Sequence, residues 1–448
     1  MIKMKKISLV IVLMCYSIMG FGQDSLYLSL SDAVQMGIDS SKKLMLAQTK
    51  IQQAINKYEQ AKDKQLPNAE VSLMGSEAFI PTHILQIKGL MKEPMELPGN
   101  STMYLGTLSI NQLIFAGHKL QYAKASAKLL KKTAKLKKEH NREGVILAVI
   151  QAYINIYKID QNIKVIHRNI HDVNKRLEET KKFKDAGLAT LNDVLRFKLQ
   201  KSQARLALVD LINNRQVANY ALITMLGLPE KTTLKTDNLE KVALQKNTPK
   251  AYPLSYFINQ ALHNREDLKT YAVKKKINHN NIKSIKASKL PTLGAGINTY
   301  YLNPNTRFFP PKHSFLVPIT VGLKVSWDIS SLYTTKHKVE EAQIKKQQIS
   351  IAKESSSDKI KTAVNKSYHE YLKAVQRIEE LHTTVAQAKE NDRIMELKYK
   401  NQLATTTDRI DAQTMLYKSL VDIALAKADA KQAWYELQAT SGTLNKKF

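Results

Sequence analysis

From Lys119 to Ala186 the chain runs for about 68 residues without a proline, a helix ~100 Å long at 1.5 Å per residue. Gly144 is its only interior glycine. Val145, Val149, Ala152, Ile156, Ile159, Ile163, Ile166, Ile170, Val173 and Leu177 step along it by four and three. That 3.5-residue period marks coiled-coil packing rather than an isolated surface helix. A second stretch, from about Leu332 to Gln402, carries Val364, Tyr368, Tyr371, Val375 and Ile378 on one stripe. Nothing globular needs rods of this length, and a dimeric coiled-coil scaffold is the plainest structure that does.

The two rods belong to an internal repeat. Shifting the sequence by 224 positions lays Leu30 and Ser31 on Leu254 and Ser255. Leu44 then falls on Leu268, and Leu66-Pro67 on Leu290-Pro291. A shift of 215 lays Leu188-Ala189-Thr190 on Leu403-Ala404-Thr405, Asp193 on Asp408, Tyr220 on Tyr435 and Gly227 on Gly442. The period is too long for a solenoid and implies internal pseudo-symmetry. The expected organisation is a first repeat over 23–229, a polar linker over 230–251 and a second repeat over 252–448. Each repeat also holds two half-length helices, Ser31 to Gln65 and Thr190 to Leu226 in the first, Leu254 to Lys289 and Thr405 to Thr440 in the second. Laid end to end, such a pair matches the long helix beside it.

Between the first half-helix and the rod of each copy lie two strand-like runs. Ile319, Val321, Leu323, Val325 and Trp327 alternate with Thr320, Gly322, Lys324, Ser326 and Asp328. The partner run contributes Leu293, Ala295, Ile297, Thr299 and Tyr301. In the first copy Tyr104, Leu108, Ile110 and Ile114 oppose Thr107, Ser109 and Asn111. Such a pattern fits a barrel wall with lipid on one side and water on the other, and equally a half-buried soluble sheet. Asn303, Pro304, Asn305, Pro310 and Pro311 supply turns, and Tyr300, Tyr301, Phe308 and Phe309 an aromatic girdle at one end, with Trp327 at the other. Four strands are too few to close, because backbone groups in lipid must all be paired and barrels begin at about eight strands. If the sheet spans a membrane, the chain oligomerises, and three copies give twelve strands.

The N-terminus speaks for export. Lys3, Lys5 and Lys6 precede the apolar run Ile7 to Met19, and Gly20-Phe21-Gly22 offers small residues for cleavage, so 1–22 reads as a signal peptide. The run is too short for a membrane span, which needs about 20 residues. Cys15, the single cysteine, lies inside it behind Met14, which leaves the mature chain without thiol chemistry. The net charge of +30, with 69 Lys and Arg against 39 Asp and Glu, would suit nucleic acid in the cytoplasm; export argues against that partner. His167 and His171 stand one helical turn apart but lack an HExxH frame or a third ligand. No phosphate-cradling loop and no GxSxG is present. No cofactor, no metal and no catalysis are expected.

At this point the order of parts resembles the TolC family of outer-membrane efflux proteins across nearly the whole mature chain. SLSDAVQMGIDSSKKL at 29–44 resembles that family's first helix and QLIFAGHK at 112–119 its strand-to-helix junction. FKDAGLATLNDVL at 183–195 resembles its first tip turn, and YKNQLATTTDRIDAQ at 399–413 its second. The resemblance implies a mainly α fold with a β-barrel portion. Three copies of the long helical hairpins form an α-barrel tunnel, and their strands form a twelve-stranded transmembrane β-barrel. It implies a homotrimer in outer-membrane lipid that extends into the periplasm and meets a periplasmic adaptor and an inner-membrane transporter. Such a chain is the exit duct of a tripartite efflux or type I secretion system. It further implies that Asp408 and Asp411 form carboxylate rings at the tunnel's inner end, and that Tyr399 and Asp193 occupy positions of a closing network. Ala404 stands where that network has an arginine. The second tip lacks the glycine of the first and reads as one residue shorter. Gathered carboxylates at a constriction favour cations and raise one another's pKa, while Asp408 also suits a helix N-terminus. The alternative is a periplasmic coiled-coil scaffold or adaptor without a membrane barrel.

Overall fold

The computed structural model describes residues 25–79, 83–97, 100–237, 252–303 and 314–448. The signal segment 1–22 lies outside them, as do the turn and girdle residues Pro304, Asn305, Phe308, Phe309, Pro310 and Pro311.

Both rods form without a break, α3 over Lys119–Asp185 and α7 over Ser331–Lys400. Their partners are α4 over Leu191–Leu226 and α8 over Thr406–Thr440. The first half-helix of each copy is not continuous, contrary to the sequence expectation. It splits into α1 (Leu30–Ser40) and α2 (Lys42–Asp63), and into α5 (Leu254–Asn264) and α6 (Glu266–Ala287). The breaks fall at Ser41 and Arg265, whose extended ψ values of 108° and 125° no helix tolerates. A local hydrogen bond restarts each helix. Leu44 N–H donates to Ser41 Oγ at 3.3 Å, and Leu268 N–H to Asp267 Oδ1 at 2.9 Å, side-chain acceptors offering the orphan amides of a first turn a partner.

The chain divides into two compact units. One contains the residues up to Ala47, Lys137–Leu268 and Ser355–Phe448. Its main core gathers Val34 from α1, Ile146, Ile150 and Tyr153 from α3, and Leu222 and Leu226 from α4. Two adjacent lines of α3 are buried: Val149 and Ile156 of the expected seam and, one residue along, Ile146, Ile150, Tyr153 and Tyr157. Val145 and Ala152 of that seam are only half-buried. The helix is covered on more than one side here, so a two-stranded coiled-coil seam is too narrow a description. The expected linker also begins as structure. Strand β6 (Thr233–Thr236) pairs in parallel with β1 (Ser25–Leu28). Asn219 fastens β6 through Thr232 O at 2.8 Å and Leu234 N at 2.9 Å, and Tyr153 OH donates to Leu28 O at 2.7 Å. Residues 238–251 of the linker lie outside the described range.

The other unit comprises Gln48–Leu136 and Lys269–Glu354. It contains an antiparallel four-stranded sheet in the order β2 (Asn68–Phe79), β5 (Asn100–Phe115), β7 (Thr292–Asn303), β8 (Ile319–Ser326). A small hairpin, β3 (His83–Leu85) with β4 (Met95–Leu97), lies between β2 and β5 in sequence. Directly opposite residues share a face and neighbours along a strand alternate. The register aligns Val71 with Leu108, Ile110 with Ile297, and Ile297 with Val321. One face is therefore apolar across all four strands, and it is uncovered: Leu73, Val321 and Leu323 are 81, 75 and 73% exposed. The other face carries Asn68, Asn111, Gly296 and Gly322 in one register row, and Glu70, Ser109, Asn298 and Thr320 in the next. Tyr300 and Tyr301, being adjacent, split between the faces. Only Tyr301 lies on the apolar one, stacked on Phe315 at 4.4 Å. Trp327 Nε1 donates to Lys289 O at 3.0 Å. None of the described helices is long and apolar enough to cross a membrane.

Candidate functional site: the paired helical tips

The turns joining α3 to α4 and α7 to α8 are built alike, residue for residue at a shift of 215. Leu188 N–H donates to Phe183 O at 2.7 Å, and Leu403 N–H to Lys398 O at 2.8 Å. Gly187 N–H reaches Lys184 O, and Gln402 N–H reaches Tyr399 O, at 3.0 and 3.1 Å. The second turn is therefore not shorter. Gln402 fills the glycine position and adopts the same left-handed backbone, φ 60° against 74° for Gly187.

A capping box follows each turn. Asp193 Oδ2 accepts from Thr190 N and Oγ1 at 2.9 and 2.7 Å, and Asp408 Oδ2 accepts from Thr405 N and Oγ1 at 3.0 and 2.7 Å. The Thr405 hydroxyl, then its amide, hold the Asp408 carboxyl below the usual carboxylate range. At Asp193 partial burial pushes the other way but loses to hydrogen bonds from Thr190 and Thr406, and the result is again a lowered pKa. Asp411 is exposed, one turn further along α8. Asp408 and Asp411 thus project from one side of the first turns of α8.

Tyr399 takes a different position. Its hydroxyl lies 3.1 Å from Thr180 Oγ1 on α3, and its ring meets Phe183 and Phe197 at 6.5 and 6.3 Å. It packs on the small core of Val173, Leu177, Val194 and Phe197. Asp193 instead touches the start of α8 through Thr406. The structure joins both residues to the opposing helix pair, but by separate contacts and not to each other. Ala404, at the expected arginine position, is half-buried.

Arginine chemistry is present at other positions, which the sequence reading missed. Arg409 on α8, 2% exposed, meets Asp392 of α7 at 2.5 Å and Glu396 at 3.9 Å. Arg176 on α3 bridges Glu179 at 2.9 Å and Glu396 at 2.7 Å. Burial works against the Glu396 charge, yet hydrogen bonds from Arg176 and from Lys400, 2.9 Å away, hold its pKa down at about 2. Tyr417 on α8 donates to Asp172 on α3, and Arg196 on α4 to Thr407 on α8. Tyr417 is held above its ordinary pKa by burial first and by the Asp172 carboxylate second. The Arg176–Glu396, Tyr417–Asp172 and Arg196–Thr407 contacts tie the α3–α4 pair to the α7–α8 pair within one chain. The available signal was an arginine beside an apolar stripe, Arg176 next to Val173 and Leu177, but its glutamate partner lies 220 positions on and no spacing rule locates it. His167 and His171 are both exposed, and among the described residues no group of three His, Cys, Asp or Glu is placed to hold a metal ion.

The sequence pattern described as outer membrane efflux protein matches residues 33–228 and 257–443. No curated protein matches the chain. Among solved structures the fold is similar to that of CusC, at a TM-score of 0.75 and 14% identity, covering 92% of each chain. The outer membrane protein VceC of Vibrio cholerae aligns at 0.71 and 15% identity, over 92% of this chain and 96% of its own. The CmeC outer membrane channel of Campylobacter jejuni aligns at 0.71 and 14% identity, over 93 and 86%. Identities this low establish the shared fold, while the sequence match, spanning both halves, establishes kinship. The chain belongs to the outer membrane efflux protein family, and its place is the outer membrane.

Proposed function

We propose that this chain forms a homotrimeric exit duct that conducts small molecules or exported substrates across the periplasm and the outer membrane. The observation that carries the reading is the four-stranded sheet with one uncovered apolar face and two edges, β2 and β8, that are unpaired among the described residues. An apolar face of that size in water is a liability, and open edges in lipid leave backbone groups unsatisfied. Both are relieved when β8 of one protomer pairs with β2 of the next and three copies close a twelve-stranded barrel. A second feature supports assembly: Leu191, Leu195, Leu199, Leu206 and Val209 are exposed along one side of α4, an apolar stripe at helical spacing that suits a neighbouring helix.

In this reading 1–22 is removed on export, and 23–229 and 252–448 are duplicated halves. The tunnel receives cargo from a periplasmic adaptor and an inner-membrane transporter, in tripartite efflux or in type I secretion. Asp408 and Asp411 contribute six carboxylates to a constriction, with Tyr399 and Asp193 holding the tips through Thr180 and Thr406. The test is to express the full-length chain, fractionate the membranes and weigh the detergent-solubilised particle by light scattering. A trimer recovered from the outer membrane is the expected result. A soluble monomer or dimer in the periplasmic fraction overturns the duct and leaves a coiled-coil scaffold.

A further inference from the structure

The polar face of the sheet carries positive charge at one particular level. Lys324 lies on β8 in the register row of Gly294 and Leu113, pointing to the side opposite the exposed Val321, Leu323 and Val325. Lys64 opens the turn that leads from α2 into β2. The two lysines line one open cavity of about 740 Å³ on this face, and they are the only charged residues among those that line it. Both are exposed, and neither has an ion-pair partner among the described residues. Between them the wall is built from small or neutral groups, Asn68, Asn111, Gly294, Gly322 and Ser326. At Gly322 nothing stands within 4 Å of where a Cβ would sit. Glu70 shares the face two register rows from Lys324; Asn298 and Thr320 of its row line the cavity, and Glu70 itself does not.

A trough with two free ammonium groups, amides and hydroxyls, and no counter-charge in its lining matches an anion in chemistry as well as in charge. Ammonium groups supply donors without a fixed fork, so they suit carboxylate or phosphate oxygens in passing rather than in a rigid bidentate hold. Rings of such groups are what select anions in a pore. We propose that Lys64 and Lys324 form a transit site for anionic solutes on the pore side of the barrel wall, six cations in a trimer. The inference rests on the barrel reading, which puts the polar face toward the lumen. It gives the duct two selective stations of opposite sign, the lysines here and the carboxylates of Asp408 and Asp411.

Planar-bilayer recording on the purified full-length protein tests it, with citrate as the probe anion. Relative to the unaltered protein, K64Q/K324Q pores should show a potassium-to-chloride permeability ratio raised at least ~3-fold and a citrate block weakened by a similar factor. K64R/K324R pores should keep both properties, since charge rather than shape is at stake. Pores whose selectivity and citrate block are unchanged in K64Q/K324Q overturn the transit site while leaving the duct intact. A preparation that is neither trimeric nor pore-forming overturns the barrel reading and the site with it.

Discussion

Gln402 occupies the turn position that Gly187 occupies 215 residues earlier, and it pays for the left-handed backbone that glycine adopts freely, φ 60° against 74°. The hydrogen bonds around the two residues are the same, so the strain at Gln402 reflects the side chain rather than a different turn. A non-glycine residue in this region costs about 1 kcal/mol. Gln402→Gly should therefore raise stability by ~0.5–1 kcal/mol, less what the freer unfolded chain takes back. Thermal unfolding of the detergent-solubilised protein, followed by circular dichroism, checks it. A lower midpoint in the variant would show that the glutamine side chain makes a compensating contact.

Much of this turn was legible in advance and part of it was not. The 215-residue frame placed Thr190 on Thr405 and Asp193 on Asp408, and both capping boxes formed there. The length of the second turn was misjudged because Phe183 and Tyr399 were matched as aromatics, whereas the backbone matches Phe183 with Lys398. The rods and the two-faced alternation of the later three strands were readable because periods of 3.5 and 2 leave a mark in a single segment, whereas the cross-strand register was not. The breaks at Ser41 and Arg265 and the β1–β6 pair were not readable. Two residues of local ψ, or four-residue strands joined across 208 positions, leave no period. The tip ion pairs share that obscurity, since Arg176 and Glu396 are brought together by the packing of separate helices.

Glu143 on α3 should make stability fall as pH rises. Burial pushes its pKa up to about 7, against the lowering charge of Arg265 and with help from Asp267 and Glu266, and its Oε1 has no hydrogen-bond partner among the described residues. The folded chain holds this proton more tightly than the unfolded chain does. The protonated carboxyl's advantage is complete below pH ~4.5 and is lost as pH rises through about 7. Glu143→Gln should gain ~1–2 kcal/mol at pH 8 and little at pH 4.5. Unfolding midpoints across that range decide it; a gain independent of pH would refute the titration.

Removing Arg409 should cost more than removing its whole ion pair. The guanidinium is 2% exposed and the Asp392 side chain 17%, so Arg409→Ala strands a mostly buried carboxylate that water reaches only in part. Losses of about 2–4 kcal/mol follow when one member of such a pair is deleted. Arg409→Met together with Asp392→Leu leaves no orphaned charge and should recover most of the loss. A double variant as unstable as the single one would mean that Arg409 acts mainly through Glu396 or through its own packing.

Asp408 and Asp411 separate the structural from the conductive role of a tip carboxylate. Asp408 holds a capping box with two charge-assisted bonds, so Asp408→Asn should lose ~0.5–1 kcal/mol as the charge leaves the helix N-terminus. Asp411 is exposed and outside the cap, so Asp411→Asn should stay within ~0.5 kcal/mol of the parent. If both side chains face a shared constriction, each substitution removes three charges from the pore of a trimer, and cation preference in planar bilayers should drop in both variants. Asp411→Asn is then the cleaner probe, because no change in helix capping accompanies it. Pores with unaltered cation preference in Asp411→Asn, measured beside an unchanged unfolding midpoint, would remove Asp411 from the constriction.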